Sequence, residues 1–156
     1  MYKGLEHTHN LFRWIVLIIA IITIYKYYIG WKGNKKFTSG DNILGSSFIA
    51  VMHLQLLIGL ILYFFLSPIS QAAMSNMALT MKDPVLRFWG VEHFAGMLIA
   101  VIVAQVGRII SKKSANDIDK YKKGFIYYLI SILIVIASIP WPFRIDGIAR
   151  GWFPGM

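Results

Sequence analysis

The sequence predicts an all-α integral membrane protein, a four-helix up-down-up-down bundle forming one transmembrane domain over residues 1–156. Three observations predict it. The chain is 57% hydrophobic with a mean hydropathy of +0.61, against roughly 45–50% apolar residues in soluble domains. The apolar residues fall into four blocks, each near the about 20 residues that a helix needs to cross a hydrocarbon core. The connections are short except for one, which suits antiparallel neighbours.

The first block, residues 10–29, is too long for the core of a cleavable signal. It is followed by "YKYYIGWKGNKK" rather than by a small-residue cleavage site, so it is expected to be a retained span. Trp14 at one end and Tyr25, Tyr27, Tyr28 and Trp31 at the other are expected to be interfacial aromatics. The second block, residues 43–66, contains no acidic or basic residue. Ahead of the third, residues 88–107, the stretch "SPISQAAMSNMALTMKDP" leaves room for a small surface segment. Asp83 before Pro84 then offers a cap acceptor and a proline at the first helical position, so this helix begins before entering lipid. The fourth block, residues 124–143, is again uncharged and closes on "IPWPFR", whose prolines end a helix. Trp141, Phe143, Trp152 and Phe153 follow as candidates for a lid over the bundle.

The charge is +9 at pH 7. Ten Lys and Arg lie in the connections after the first and third spans and six at the other ends. By the positive-inside rule both termini then lie outside. Because the cations sit in these connections, a nucleic-acid partner is not expected. The absence of cysteine excludes disulfides, thiolate metal sites, iron–sulfur clusters and a covalently attached haem. No serine, histidine and acid are spaced for nucleophilic catalysis.

The chemistry rests with four histidines: His7, His9, His53 and His93. At about 1.5 Å per residue, His53 lies ~15 Å from Ile43 and His93 ~7–8 Å below the outer face. An ionisable residue inside a span is costly and marks a functional site by default. The plain alternative for His53 is a neutral imidazole bonded to a neighbouring helix through Gln55 or Gln105. Two intramembrane histidines with an outer His-x-His pair favour iron ligation inside a bundle. Small residues follow on one face of the third span (Gly96, Ala100, Ala104, Gly107) and precede His53 on the second (Ser46, Ala50). They allow either close helix packing or a slot for a flat macrocycle. Arg13, Arg87, Arg144 and Arg150 gather toward the outer end, where guanidinium groups pair with the two carboxylates of a haem. Which histidines pair on iron stays open: His7 or His9 with His93, or His53 with His93. With no histidine in the inner half, two stacked haems crossing the membrane are not expected.

The strings "HTHNLFRW", "HLQLLIGLILYF", "RFWGVEHFAGMLIA", "GRIISKK" and "IPWPFRIDGIARGWF" cover nearly the whole chain. In that order they resemble a family of small bacterial four-helix membrane proteins labelled cytochrome B. "HLQLLIG" is also distantly similar to helices of the haem A synthases. The residues matching the family's blocks are His7, His9, Arg13, His53, Gln55, Arg87, Glu92, His93, Arg144 and Arg150. The resemblance implies haem b, expected as one per chain, and electron transfer in a bacterial inner membrane, where termini read as outside from the loop charges lie on the periplasmic side.

The expectation is therefore a multi-pass b-type haem protein exchanging electrons with quinol or a periplasmic redox partner near the outer face. Glu92, His53 and Gln55 are candidates for proton or quinol contact. Two rivals stand beside it. One is a cofactor-free subunit or assembly factor, within a homo- or hetero-oligomer, whose polar residues only lock helices together. The other is an outer non-haem metal site made from His7, His9, His93 and Glu92.

Overall fold

The computed structural model describes residues 2–154, and these are helical, with no strand among them. Helix α1 spans Tyr2–Lys32 and α2 spans Ser39–Ile61, running on through one π turn at Leu62–Leu66. Two short helices follow, α3 at Pro68–Ser75 and α4 at Met77–Thr80. A single turn, α5 (Pro84–Arg87), leads through a second π turn (Phe88–Glu92) into α6 (His93–Lys113). Helix α7 spans Asp117–Ser138, and the chain ends in an irregular tail. Four segments are long and apolar enough to cross a membrane: Tyr2–Lys32, Ser39–Leu66, Pro84–Lys113 and Asp117–Ser138.

The helix limits follow from local chemistry. Thr38 and Asp41 form a reciprocal capping box, each side chain accepting from the other's backbone N–H. Asp83 accepts from the N–H of Leu86 at 2.8 Å with Pro84 next to it. Helix α1 begins well before residue 10, because nothing in residues 2–9 breaks a helix and the tail packs against that turn. His7 and His9 are therefore helical. Helix α7 stops at Ser138 rather than running to Phe143, since Pro140 lacks an N–H and disfavours helix in the residue before it.

The four long segments pack as a closed ring, α1 on α2, α2 on α6, α6 on α7 and α7 on α1. Small residues set the closest approaches. The strip on α6 faces α7: Ala100 and Ala104 are buried, and the Ala100 carbonyl accepts from Ser131 Oγ at 2.7 Å. A Cβ on Gly96 or Gly107 would run into Ser138 or Tyr127 respectively. The strip is thus a helix–helix contact and not a slot for a macrocycle. Replacing Gly107 with leucine is expected to lower stability by about 1–3 kcal/mol through overpacking, read as a shift in the thermal unfolding of detergent-solubilised protein.

At the end where α1 stops and α2 begins, Tyr27, Tyr121, Tyr128 and Phe48 are fully buried. Tyr121 donates to Asp41 Oδ2 at 2.6 Å, and Tyr27 donates to the Asp41 carbonyl at 3.0 Å. Tyr27 is therefore core, not part of an aromatic belt, whereas Tyr25 and Tyr28 are exposed. Arg108 donates to Asn42 Oδ1 and Ser46 Oγ, tying α6 to α2. These polar ties fasten one end of the bundle; the other end is where the helices part.

Candidate functional site

At the opposite end, the start of α1, the end of α2, the start of α6 and the end of α7 surround a cavity of about 340 Å³, within the usual 300–1,000 Å³ range of small-molecule sites. Its walls are mostly apolar, with Met52, Leu56, Met97 and Val101 prominent. Its polar side chains include His7, His9, Asn10, Arg13, Gln55, His93 and Arg150. Glu6, His9 and Arg13 share one face of α1, because residues three and four apart stack on a helix.

His9 and His93 meet across the cavity. Their ring centroids are 6.4 Å apart and their planes cross at 79°. Two imidazoles joined to one metal through bonds of ~2.0–2.1 Å, with each ring centre about 1.1–1.2 Å behind its nitrogen, have centroids roughly 6.2–6.6 Å apart. The observed spacing falls within that range. His93 Nδ1 lies 2.8 Å from the carbonyl oxygen of Ser138. A carbonyl only accepts, so Nδ1 carries the hydrogen and Nε2 presents its lone pair, the usual state of a metal-binding imidazole. Gly96 makes this possible by letting Ser138 come close. On the other side, a Cβ on Gly59 would stand 3.1 Å from His9 Cε1, so glycine there leaves the His9 ring its place.

Four buried polar atoms on the cavity wall have no hydrogen-bond partner among the described residues: His9 Nδ1, Asn10 Oδ1, Arg13 Nε and Gln55 Oε1. Buried polar groups are seldom left unpaired, and the concentration of these on one wall marks it as a surface for a polar-edged ligand. Arg13 is only 7% exposed. No Asp or Glu among the described residues lies within ion-pair range of it. Its guanidinium donates to the carbonyls of Gly151 and Trp152 at 3.3 and 3.0 Å and packs over Trp14 and Trp141. A guanidinium held only by carbonyls and aromatic faces keeps the capacity to pair with an anion.

The tail covers this end. Trp14 Nε1 donates to the Trp152 carbonyl at 2.8 Å, Trp89 Nε1 to the Gly147 carbonyl at 2.9 Å, and Arg150 pairs with Glu6 at 3.3 Å.

The remaining sequence candidates are placed elsewhere. His53 lies on the outward face of α2 among exposed Ala50, Leu54 and Leu57, and it does not line the cavity. Arg87 is paired with Glu92 at 2.8 Å, and neither lines the cavity. Arg144 donates to the carbonyls of Ile139 and Ala137 and covers Phe88, also away from the cavity. His7 touches the cavity but is largely exposed. Gln55 reaches α1, its amide donating to the His9 carbonyl at 2.9 Å. Asn10 and Ser138 were not singled out by sequence; Asn10 carried a readable signal, lying four residues after Glu6 and three before Arg13 on α1, while Ser138 acts through its backbone. Among the described residues no three His, Cys, Asp or Glu side chains converge as metal ligands, so the outer non-haem site of His7, His9, His93 and Glu92 is not assembled.

No family model, no curated protein and no solved structure matches the chain.

Proposed function

We propose that this chain is a b-type haem protein of the bacterial inner membrane, an antiparallel up-down-up-down bundle with both termini on the periplasmic side, that carries electrons near its outer face. The observation that carries the reading is the His9–His93 pair at 6.4 Å, with the His93 tautomer fixed by Ser138. The contacts of the start of α1 with the end of α2 and with the start of α6 support the antiparallel arrangement. The resemblance to the small membrane proteins labelled cytochrome B points the same way.

The residues fit the group. His9 and His93 would hold the iron, and Arg13 and Arg150 would face its two carboxylates, each being a cavity-wall guanidinium. When bound, the haem supplies a one-electron iron couple. The protein's own part is positioning and insulation. Ser138 aims the His93 ring, Met52, Leu56, Met97 and Val101 keep the wall apolar, and Phe153 and Pro154 of the tail complete its lining. A quinol or a periplasmic redox protein is the proposed electron partner, approaching from the tail end.

Protein purified in detergent from haem-sufficient cells is expected to show a Soret band, with about one haem per chain, that sharpens and shifts on dithionite reduction. A colourless preparation that stays colourless after added haem overturns the reading. The polar residues are then helix ties within a cofactor-free subunit.

A further inference from the structure

The two facing imidazoles are held very differently. His93 is fixed by three neighbours: its Nδ1–H is bonded to the Ser138 carbonyl, and its ring is flanked by Phe88 and Trp89 at centroid distances of 5.8 and 5.6 Å. The ring of His9 has no such support. Its Nδ1 is buried without a partner among the described residues, its one aromatic neighbour is His93 itself, and opposite its Cε1 stands Gly59, which has no side chain. Only the backbone of His9 is anchored, through Gln55 Nε2 to its carbonyl. Rotation about the His9 side-chain bonds therefore disturbs no hydrogen bond, whereas moving His93 breaks one and displaces two aromatic rings. An outer hydrogen bond to a ligating imidazole is commonly worth 10–100-fold in metal affinity, and here one ring has it and the other does not.

Resting on the haem reading above, we propose that His93 is the permanent iron ligand and His9 an exchangeable one, so that the cavity admits a small uncharged diatomic molecule to the iron. In the exchange the iron–nitrogen bond to His9 breaks and one bond from iron to the incoming molecule forms. His9 leaves as neutral imidazole, and no electron or proton is transferred. With haem filling the cavity, the space for the incoming molecule is that which the His9 ring vacates as it turns away, next to side-chain-free Gly59.

The test uses carbon monoxide on the dithionite-reduced, haem-loaded full-length protein. The wild type is expected to convert to a carbon monoxide complex by its visible spectrum, slowly, because His9 must first leave. His9→Ala is expected to keep its haem in a high-spin form and to bind carbon monoxide at least about tenfold faster. His93→Ala is expected to lose haem. Gly96→Ala, which pushes on Ser138, gives a second route: it weakens haem retention without touching either imidazole. A red protein whose reduced spectrum ignores carbon monoxide overturns the proposal and leaves the haem reading standing. So does equal haem loss in the His9 and His93 variants. A colourless protein ends both.

Discussion

Protein carrying His93→Ala is expected to retain haem at least about 100-fold more weakly than the wild type, while His53→Ala leaves the visible spectrum unchanged. The first effect is set as a lower limit by the 10–100-fold commonly lost when only an outer partner of a metal ligand is removed. Here the ligand itself goes, together with the Ser138 bond that aims it. Replacement by alanine also leaves an imidazole-sized space walled by Phe88 and Trp89. Imidazole added to the purified variant is therefore expected to restore part of the Soret band, which a misfolded protein cannot do. Helical content by circular dichroism checks the fold independently. The contrast with His53 is sharp because that side chain is on the outward face of α2 and does not line the cavity. Loss of haem in His53→Ala, with haem kept in His93→Ala, reverses the assignment of the site.

His53 was, with His93, one of two intramembrane histidines that the sequence put forward, and its placement shows what spacing can and cannot tell. Distance along a helix gives depth, and depth alone made His53 conspicuous. Rotation about the helix axis decides whether a residue meets the cavity, and α2 is apolar nearly all round, so no polar face announces which side turns inward. The inward face is instead written in small and bulky positions: Gly45 against Tyr27, then Phe48, Ile49 and Met52, then Gly59 against His9. His53 itself stands four residues after Ile49, so spacing alone admits it to that series, and only its exposure in the structure sets it apart. The four spans were legible because apolar length is a one-dimensional property. Asp83 and Pro84, Pro140 and Pro142 were legible because caps and prolines act locally. The early start of α1 was not, since it depends on the tail meeting Glu6, Asn10 and Trp14 from about 140 residues away. Arg13 and Arg150 stand out from Arg87 and Arg144 only in three dimensions, where the first two line the cavity and the others do not. Of those two, Arg150 is itself paired with Glu6, and only Arg13 meets no carboxylate among the described residues.

Arg13 gives the remaining large effect, and its sign depends on whether haem is bound. In protein produced without haem, Arg13→Met is expected to leave stability unchanged or to raise it by about 1–4 kcal/mol, as when buried ionic groups give way to apolar ones of similar size. The wild-type guanidinium has lost its water, keeps only two carbonyls and two indole faces, and has an unpartnered Nε. The tail is still tied by Trp14 to Trp152, so its docking does not depend on Arg13 alone. In haem-loaded protein the same change strands a carboxylate, and haem affinity is expected to fall about 10–100-fold, in line with other outer partners of a metal site. Arg13→Lys keeps the charge without the planar fork and is expected to fall between the two. Thermal unfolding of both forms, with haem titration of each variant, separates a ligand-binding arginine from a strap. If Arg13→Met weakens the haem-free protein and leaves haem affinity untouched, Arg13 serves the tail alone. A cation that costs the empty protein stability and gains its partner only with an anionic ligand is, by contrast, retained for that ligand.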